Sequence, residues 1–178
     1  ATSTDAIMVY AGIASKETLY RYYASKEELF ADVLRHFTVE NPEHSALFTT
    51  PHAPESRDAL QAIFMEFAQA LLAIIMQPDY LAFMRMLIAE LPRFPYLGEL
   101  FRTTVPEQAM HFLATVLEQA RQQKLINVGD PDAVIRMLIG SLLTYVLFDG
   151  LFQPEKAFSP PPLARIEAIV ETLMKAIA

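Results

Sequence analysis

Between Ser15 and Lys26 the chain gathers side chains that could bind a polyanion: Ser15-Lys16-Glu17-Thr18-Leu19-Tyr20-Arg21-Tyr22-Tyr23-Ala24-Ser25-Lys26. An ammonium or guanidinium group binds phosphate, and a guanidinium can also pair with a base edge. Threonine offers a methyl for thymine and a hydroxyl for an edge acceptor. Taken alone, a solvated helix face explains these residues better. Covalent chemistry finds less support. There is no cysteine, which excludes a disulfide framework, a thiolate zinc site and a cysteine nucleophile and makes a reducing cytoplasmic setting the default. No GxSxG, HExxH or phosphate-loop pattern occurs, and the carboxylates are scattered over polar faces. His36, His44 and His52 lack a ligand spacing on one helix face. No catalytic residue, metal or cofactor is therefore expected.

The elements around this stretch give it a direction. A short helix from about Asp5 to Ala11 carries Ile7 inward and ends at Gly12, which tolerates the left-handed conformation of a helix terminus. A second starts near Ser15 and buries Leu19 and Tyr23, leaving Lys16, Glu17, Thr18, Tyr20, Arg21 and Tyr22 outside. A third begins at a capping box, Ser25 with Glu28. This is a helix-turn-helix layout, whose second helix enters the DNA major groove. In that context Lys16 and Lys26 read as phosphate contacts and Arg21 as a base-edge or phosphate contact. Thr2, Ser3 and Thr4 read as helix caps with a phosphate contact as a second role. The chain opens at Ala1 without an initiating Met, so an N-terminal piece is expected to be absent.

The remainder is helical in period, and we expect an all-α chain of about eight or nine helices. Leu60, Ile63, Phe64, Phe67, Leu71, Ile74 and Ile75 recur at helical spacing within 55–77, as do Val105, Phe112, Leu113, Val116, Leu117 and Ala120 within 104–123. Asn41-Pro42, Thr50-Pro51, Pro78, Pro92 with Pro95, and Asp130-Pro131 stop or start helices, and Ser159 is expected to open the last one. A head with its linker helix then spans 1–48 and a helical body 49–178.

Between Arg136 and Asp149 no charge occurs, and a helix apolar all round must be covered on all sides. With the heptad-like seam of the last helix, this predicts a two-fold dimer built on a four-helix bundle. Leu138, Leu142, Val146, Leu163, Ile166, Val170, Leu173 and Ile177 are its candidate interface residues. A central core helix in a monomer is the alternative. Phe64, Phe67, Phe83, Met84, Met110, His111, Phe112, Met137 and Tyr145 are candidates to line a cavity for a small apolar molecule. Residue by residue, plain core packing explains the Met and Phe positions better.

The chain has 178 residues, 53 % of them hydrophobic, and a formal net charge of −7. That apolar share rules out intrinsic disorder as the main state. The longest uncharged apolar stretches, Leu71 to Gln77 and Met137 to Phe148, fall short of the roughly 18–20 residues of a membrane span. Charge is unevenly divided: residues 1–26 hold three cations against two carboxylates, the rest eleven against nineteen. An acidic body with a slightly basic head confines any nucleic-acid contact to the head.

Ile7, Ala11, Gly12, Ser15, Lys16, Thr18, Leu19, Tyr20, Tyr22, Ser25, Lys26, Glu27 and Leu29 together resemble the signature of the TetR family of transcriptional regulators. Two residues, Ile13 and Ala14, separate Gly12 from Ser15 where that family usually has one. The stretch from Met86 through Glu90, Pro92, Arg93, Phe94 and Pro95, followed by Lys124-Leu125-Ile126 and Asp130-Pro131, is similar to the AefR-like C-terminal domain of one TetR branch. The resemblance implies a homodimer that binds operator DNA through paired heads, with a small effector in the body. It makes Tyr20 and Tyr22 backbone contacts on the DNA, and it implies a further helix ahead of Thr2. A constitutive DNA-binding dimer, or a helical ligand-binding protein with a vestigial head, are the alternatives.

Overall fold

The computed structural model describes residues 17, 21–38, 53–153 and 159–178, which hold helices and no strand. Seven α-helices follow one another: α1 (Lys26–Phe37), α2 (Arg57–Ile75), α3 (Pro78–Glu90), α4 (Tyr96–Arg102), α5 (Val105–Gln122), α6 (Pro131–Tyr145) and α7 (Leu163–Ala176). α6 runs on into a π-helical segment, Val146–Leu151. Glu17, Arg21 and Tyr22 are also helical.

The local signals explain most boundaries. Ser25 caps α1, its hydroxyl accepting the Glu28 amide at 3.1 Å, while the Glu28 carboxylate accepts the Ala24 amide at 2.7 Å. Asp130 caps α6 by accepting the Ala133 amide, with Pro131 behind it in the first turn. α1 ends at Thr38, whose hydroxyl donates to the Leu34 carbonyl, so the linker helix expected over 26–48 is seen to Phe37. The opening of α7 differs from expectation. Its N-cap is Pro162 and not Ser159, because residues followed by proline are driven out of the helical region. The helix starts only where the three-proline run ends.

The main core lies between α2, α5, α6 and α7. Phe64, Phe67, Leu113, Leu117, Leu138, Leu142 and Ile177 are fully buried there, and Phe67 stacks on Phe112 at 5.7 Å between ring centroids. Arg57 closes one end: its guanidinium donates to the carbonyls of Leu125, Met174 and Ile177 at 2.9, 2.6 and 3.4 Å. A second cluster joins α1 to the body through Phe30 and Leu34, packed with Phe83 and Leu87 of α3 and Leu97 of α4.

This packing revises two expectations. Of the dimer candidates, Leu138, Leu142, Val146, Ile166, Val170, Leu173 and Ile177 are buried within this chain's own core, and only Leu163 is exposed. The helical period that marks a dimer seam also marks the inner face of a helix. The outward faces of the same two helices carry other residues, among them Met137, Phe148 and Phe152. Second, α2 and the continuous helix Pro131–Leu151 do have the length and apolar character of a membrane span. Their buried sides form the core just described.

Candidate nucleic-acid interface and body cavity

In the head, Arg21 and Tyr22 stand on one helix with their side chains in solvent, Tyr22 at 70 % exposure. The Arg21 guanidinium lies 5.2 Å from the centre of the Tyr22 ring, an arrangement that holds a cation and a phenol side by side. Tyr23, the next residue round, turns inward and donates its hydroxyl to Asp32 of α1 at 2.8 Å. That hydrogen bond raises the Tyr23 pKa above its ordinary value, with desolvation and the Asp32 charge adding to it. It also ties the helix bearing Arg21 to α1. Asp32 in turn pairs with Arg35 at 3.5 Å. Glu17 is exposed, and Lys26 opens α1. The expected contacts Thr2, Ser3, Thr4, Ser15, Lys16, Thr18 and Tyr20 lie outside the described residues.

The body contains a cavity of about 340 Å³. α2 contributes Leu71 and Ile75, and α3 contributes Tyr80, Met84 and Ile88. Phe101 closes it from α4, and α5 adds Val105, Pro106, Ala109 and Met110. Ile139 and Leu143 of α6 complete the wall with Val146, Leu147 and Leu151 of the π-helical segment. Exposed Ile88, Leu143 and Leu147 form an apolar mouth. The π turn brings Leu147 and Leu151 into the same wall. It is held from α3, where Arg85 donates to the carbonyls of Gly150, Leu151 and Gln153 at 2.9, 3.0 and 3.1 Å. Gly150 sits at a close approach: a Cβ there would lie 3.1 Å from Leu81 and 3.2 Å from the Met76 sulfur, so those side chains would have to shift by a few tenths of an ångström.

Only Met84 and Met110 of the nine expected cavity residues line this space. Phe64, Phe67 and Phe112 are core, Phe83 belongs to the cluster under α1, and His111 is exposed. Met137 and Tyr145 line a separate groove between α6 and α7 with Ser141, Arg165, Ala168 and Thr172. With the expected Met84, the missed residues fall on rows of every fourth position (80, 84, 88; 139, 143, 147, 151), which is also the signature of ordinary core. At the corner after α3, Arg93 lies 3.7 Å from the buried Glu90 carboxylate.

Burial pushes the Tyr80 hydroxyl up to about 12 from 10.0. Because the folded-state value is the higher one, stability is expected to fall as pH rises from about 10 through 12. In a tyrosinate absorbance titration, Tyr80→Phe should remove the component that titrates near 12. Among the described residues no group of three His, Cys, Asp or Glu could hold a metal.

Two family models match the chain. Residues 1–33 match the bacterial regulatory proteins of the tetR family, and residues 62–176 match the AefR-like transcriptional repressor C-terminal domain. An uncharacterized HTH-type transcriptional regulator of Bacillus subtilis, YvaF, is 26 % identical over 164 residues, covering 92 % of this chain and 79 % of that protein. The structure of the flavonoid-responsive regulator FrrA is 31 % identical with a TM-score of 0.62, covering 98 % of this chain and 86 % of FrrA. A TetR-family regulator from Mesorhizobium loti shares the fold at a TM-score of 0.71 and 24 % identity, covering 98 % of this chain and 84 % of that one. The helical body, both family models and the relatives agree: this chain belongs to the TetR family of transcriptional regulators, in the branch with an AefR-like C-terminal domain.

Proposed function

We propose that this DNA-binding regulator is a ligand-gated repressor, acting in the cytoplasm as a homodimer on a near-palindromic operator. The observation that carries the gating is a shared wall. Met84 and Phe101 line the body cavity and also pack against the cluster that seats Phe30 and Leu34 of α1. A molecule that fills the cavity pushes on the seat of the head. Two heads read half-sites about 34–36 Å apart or a multiple of it, so a tilt of α1 alters their spacing and with it DNA affinity. The ligand shifts that affinity only by binding the two head arrangements unequally.

The head contacts would be made by Arg21 and Tyr22 together with Ser15, Lys16, Glu17, Thr18, Tyr20 and Lys26, with Thr2, Ser3 and Thr4 on flanking phosphates. The test is a mobility shift on DNA upstream of the chain's own gene, using protein that carries the family's complete head. Specific binding that falls steeply with salt is expected; no specific shift at any salt would remove the reading. Arg21→Ala should weaken binding about 10- to 100-fold, corresponding to about 1–3 kcal/mol for a base contact. Equal loss on operator and random DNA would make Arg21 a phosphate contact instead.

The dimer would form on the outward faces of α6 with its π segment and of α7. These carry Met137, Phe148, Phe152 and Leu163, with Gly140, Ser141 and Thr144 allowing close helix approach. Phe148 is 59 % exposed and stands edge-on to Phe152 at 5.9 Å, an apolar pair that a second copy would cover. Phe148→Asp should convert dimer to monomer at micromolar concentration in sedimentation velocity, with helical circular dichroism retained. A variant that stays dimeric would place the interface elsewhere.

The cavity supports a small apolar effector. FrrA is named as flavonoid-responsive, so a small-molecule response in this architecture has a precedent. The walls here offer few hydrogen bonds, which favours a ligand poor in hydroxyl groups.

A further inference from the structure

We infer that the cavity takes an uncharged, hydrocarbon-rich molecule with at most one hydrogen-bonding group, and that it rejects the carboxylate of the same skeleton. This rests on the reading of the body as an effector domain. Among the described residues that line it, Tyr80 is the one with a side-chain oxygen or nitrogen; every other is aliphatic, aromatic, proline or methionine. An ionised carboxylate placed there would lose its water and gain no counter-charge.

Among the described residues, no cationic side chain lines the cavity. Arg85 is on the cavity helix α3, but it is not part of the cavity wall, and its Nε and Nη2 donate to three carbonyls of the π segment and the turn after it. Two helices begin near the cavity, α3 and α5, and a helix start ordinarily offers free N–H groups to an anion. Here each start carries proline, Pro78 and Pro106, which removes one of those N–H groups. Pro106 is itself part of the wall. Each first turn also bears an acid, Asp79 and Glu107, both exposed. The exposed lining residues Ile88, Leu143 and Leu147 are apolar and offer no charge to an acid at the mouth. At about 340 Å³ the space suits a ligand on the order of fifteen non-hydrogen atoms at protein packing density.

The experiment uses the full chain and three probes: the neutral fluorophore N-phenyl-1-naphthylamine, 1-decanol and decanoate. Fluorophore displacement and thermal unfolding read binding at pH 8 and pH 6. Decanol is expected to displace the fluorophore and raise the melting temperature. Decanoate should bind at least about 1,000-fold more weakly at pH 8, since only its neutral fraction enters. Its apparent affinity should rise about tenfold for each pH unit lowered, while that of decanol stays flat. Ala109→Trp fills the cavity and should abolish fluorophore binding. Leu143→Trp narrows the mouth from an exposed position, so it keeps the fold and should also weaken binding.

Decanoate binding as tightly as decanol at pH 8 overturns the charge discrimination and leaves the cavity as a ligand site. Probes that bind both tryptophan variants as they bind the parent lie elsewhere, which overturns the inference. Failure of all three probes overturns the inference and the effector reading together. Decanol that binds in the cavity without changing operator affinity keeps the ligand class and removes the gating.

Discussion

Phe67→Ala is expected to lower stability by about 3–5 kcal/mol, the range for deleting a buried aromatic side chain. The residue is fully buried at the centre of the main core and stacks on Phe112 with ring planes 12° apart. Alanine removes the ring and leaves Phe112 facing a void that helices on both sides cannot close. For a chain of this length each kcal/mol moves the melting temperature by about 2–4 °C, so a drop of about 6–20 °C follows. Calorimetry at fixed protein concentration checks it, because the proposed dimerisation would make apparent stability concentration-dependent. The contrast is Met84→Ala, which enlarges an existing cavity whose mouth is open. Its effect should fall more on fluorophore affinity than on melting. Were Phe67→Ala mild and Met84→Ala severe, the assignment of core and cavity would be reversed.

Arg85→Met is the second large effect. Methionine keeps much of the aliphatic stem and deletes three donors, leaving the carbonyls of Gly150, Leu151 and Gln153 to find other partners. Hydrogen bonds from a charged donor contribute about 1.5–3 kcal/mol each when buried, and less where water can replace them. Arg85 is half-buried, so a total loss of about 2–4 kcal/mol is expected. The π segment should feel it first, since that geometry is strained relative to a regular helix and is held from α3 at this point. Hydrogen exchange at 146–153 should therefore accelerate more than at α2 or α5. Arg136→Met is the matched control. Arg136 forms an exposed pair with Asp132 at 2.6 Å, and such surface pairs contribute about 0–1 kcal/mol.

Much of this protein could be read directly from residue order. Ser25 with Glu28 and Asp130 with Pro131 announce helix starts because capping is a contact between residues a few positions apart. The inward turn of Tyr23 beside outward Arg21 and Tyr22 follows from helical period alone. Those signals are local, so no distant part of the chain can overrule them. The family resemblance worked for the same reason, its motif lying within one continuous stretch.

Other features needed the assembled fold. A fourfold-spaced row of Leu, Ile and Met looks identical whether it faces a packed neighbour, an empty space or a second copy. Which fate each row meets depends on what α2, α3 and α5 place opposite it. Thus Leu138 and Val170, expected at a dimer seam, are core, while Leu143 and Leu147 stand at the mouth of a cavity. Ser159 shows the limit on the local side, because the prolines after it override its capping chemistry. Residue order by itself determined the helical body, the caps at Ser25 and Asp130 and the family signature of the head, because these depend on neighbours along the chain. Tertiary structure alone decided which apolar face became core, cavity or outward surface, because burial is a relation between segments far apart in sequence.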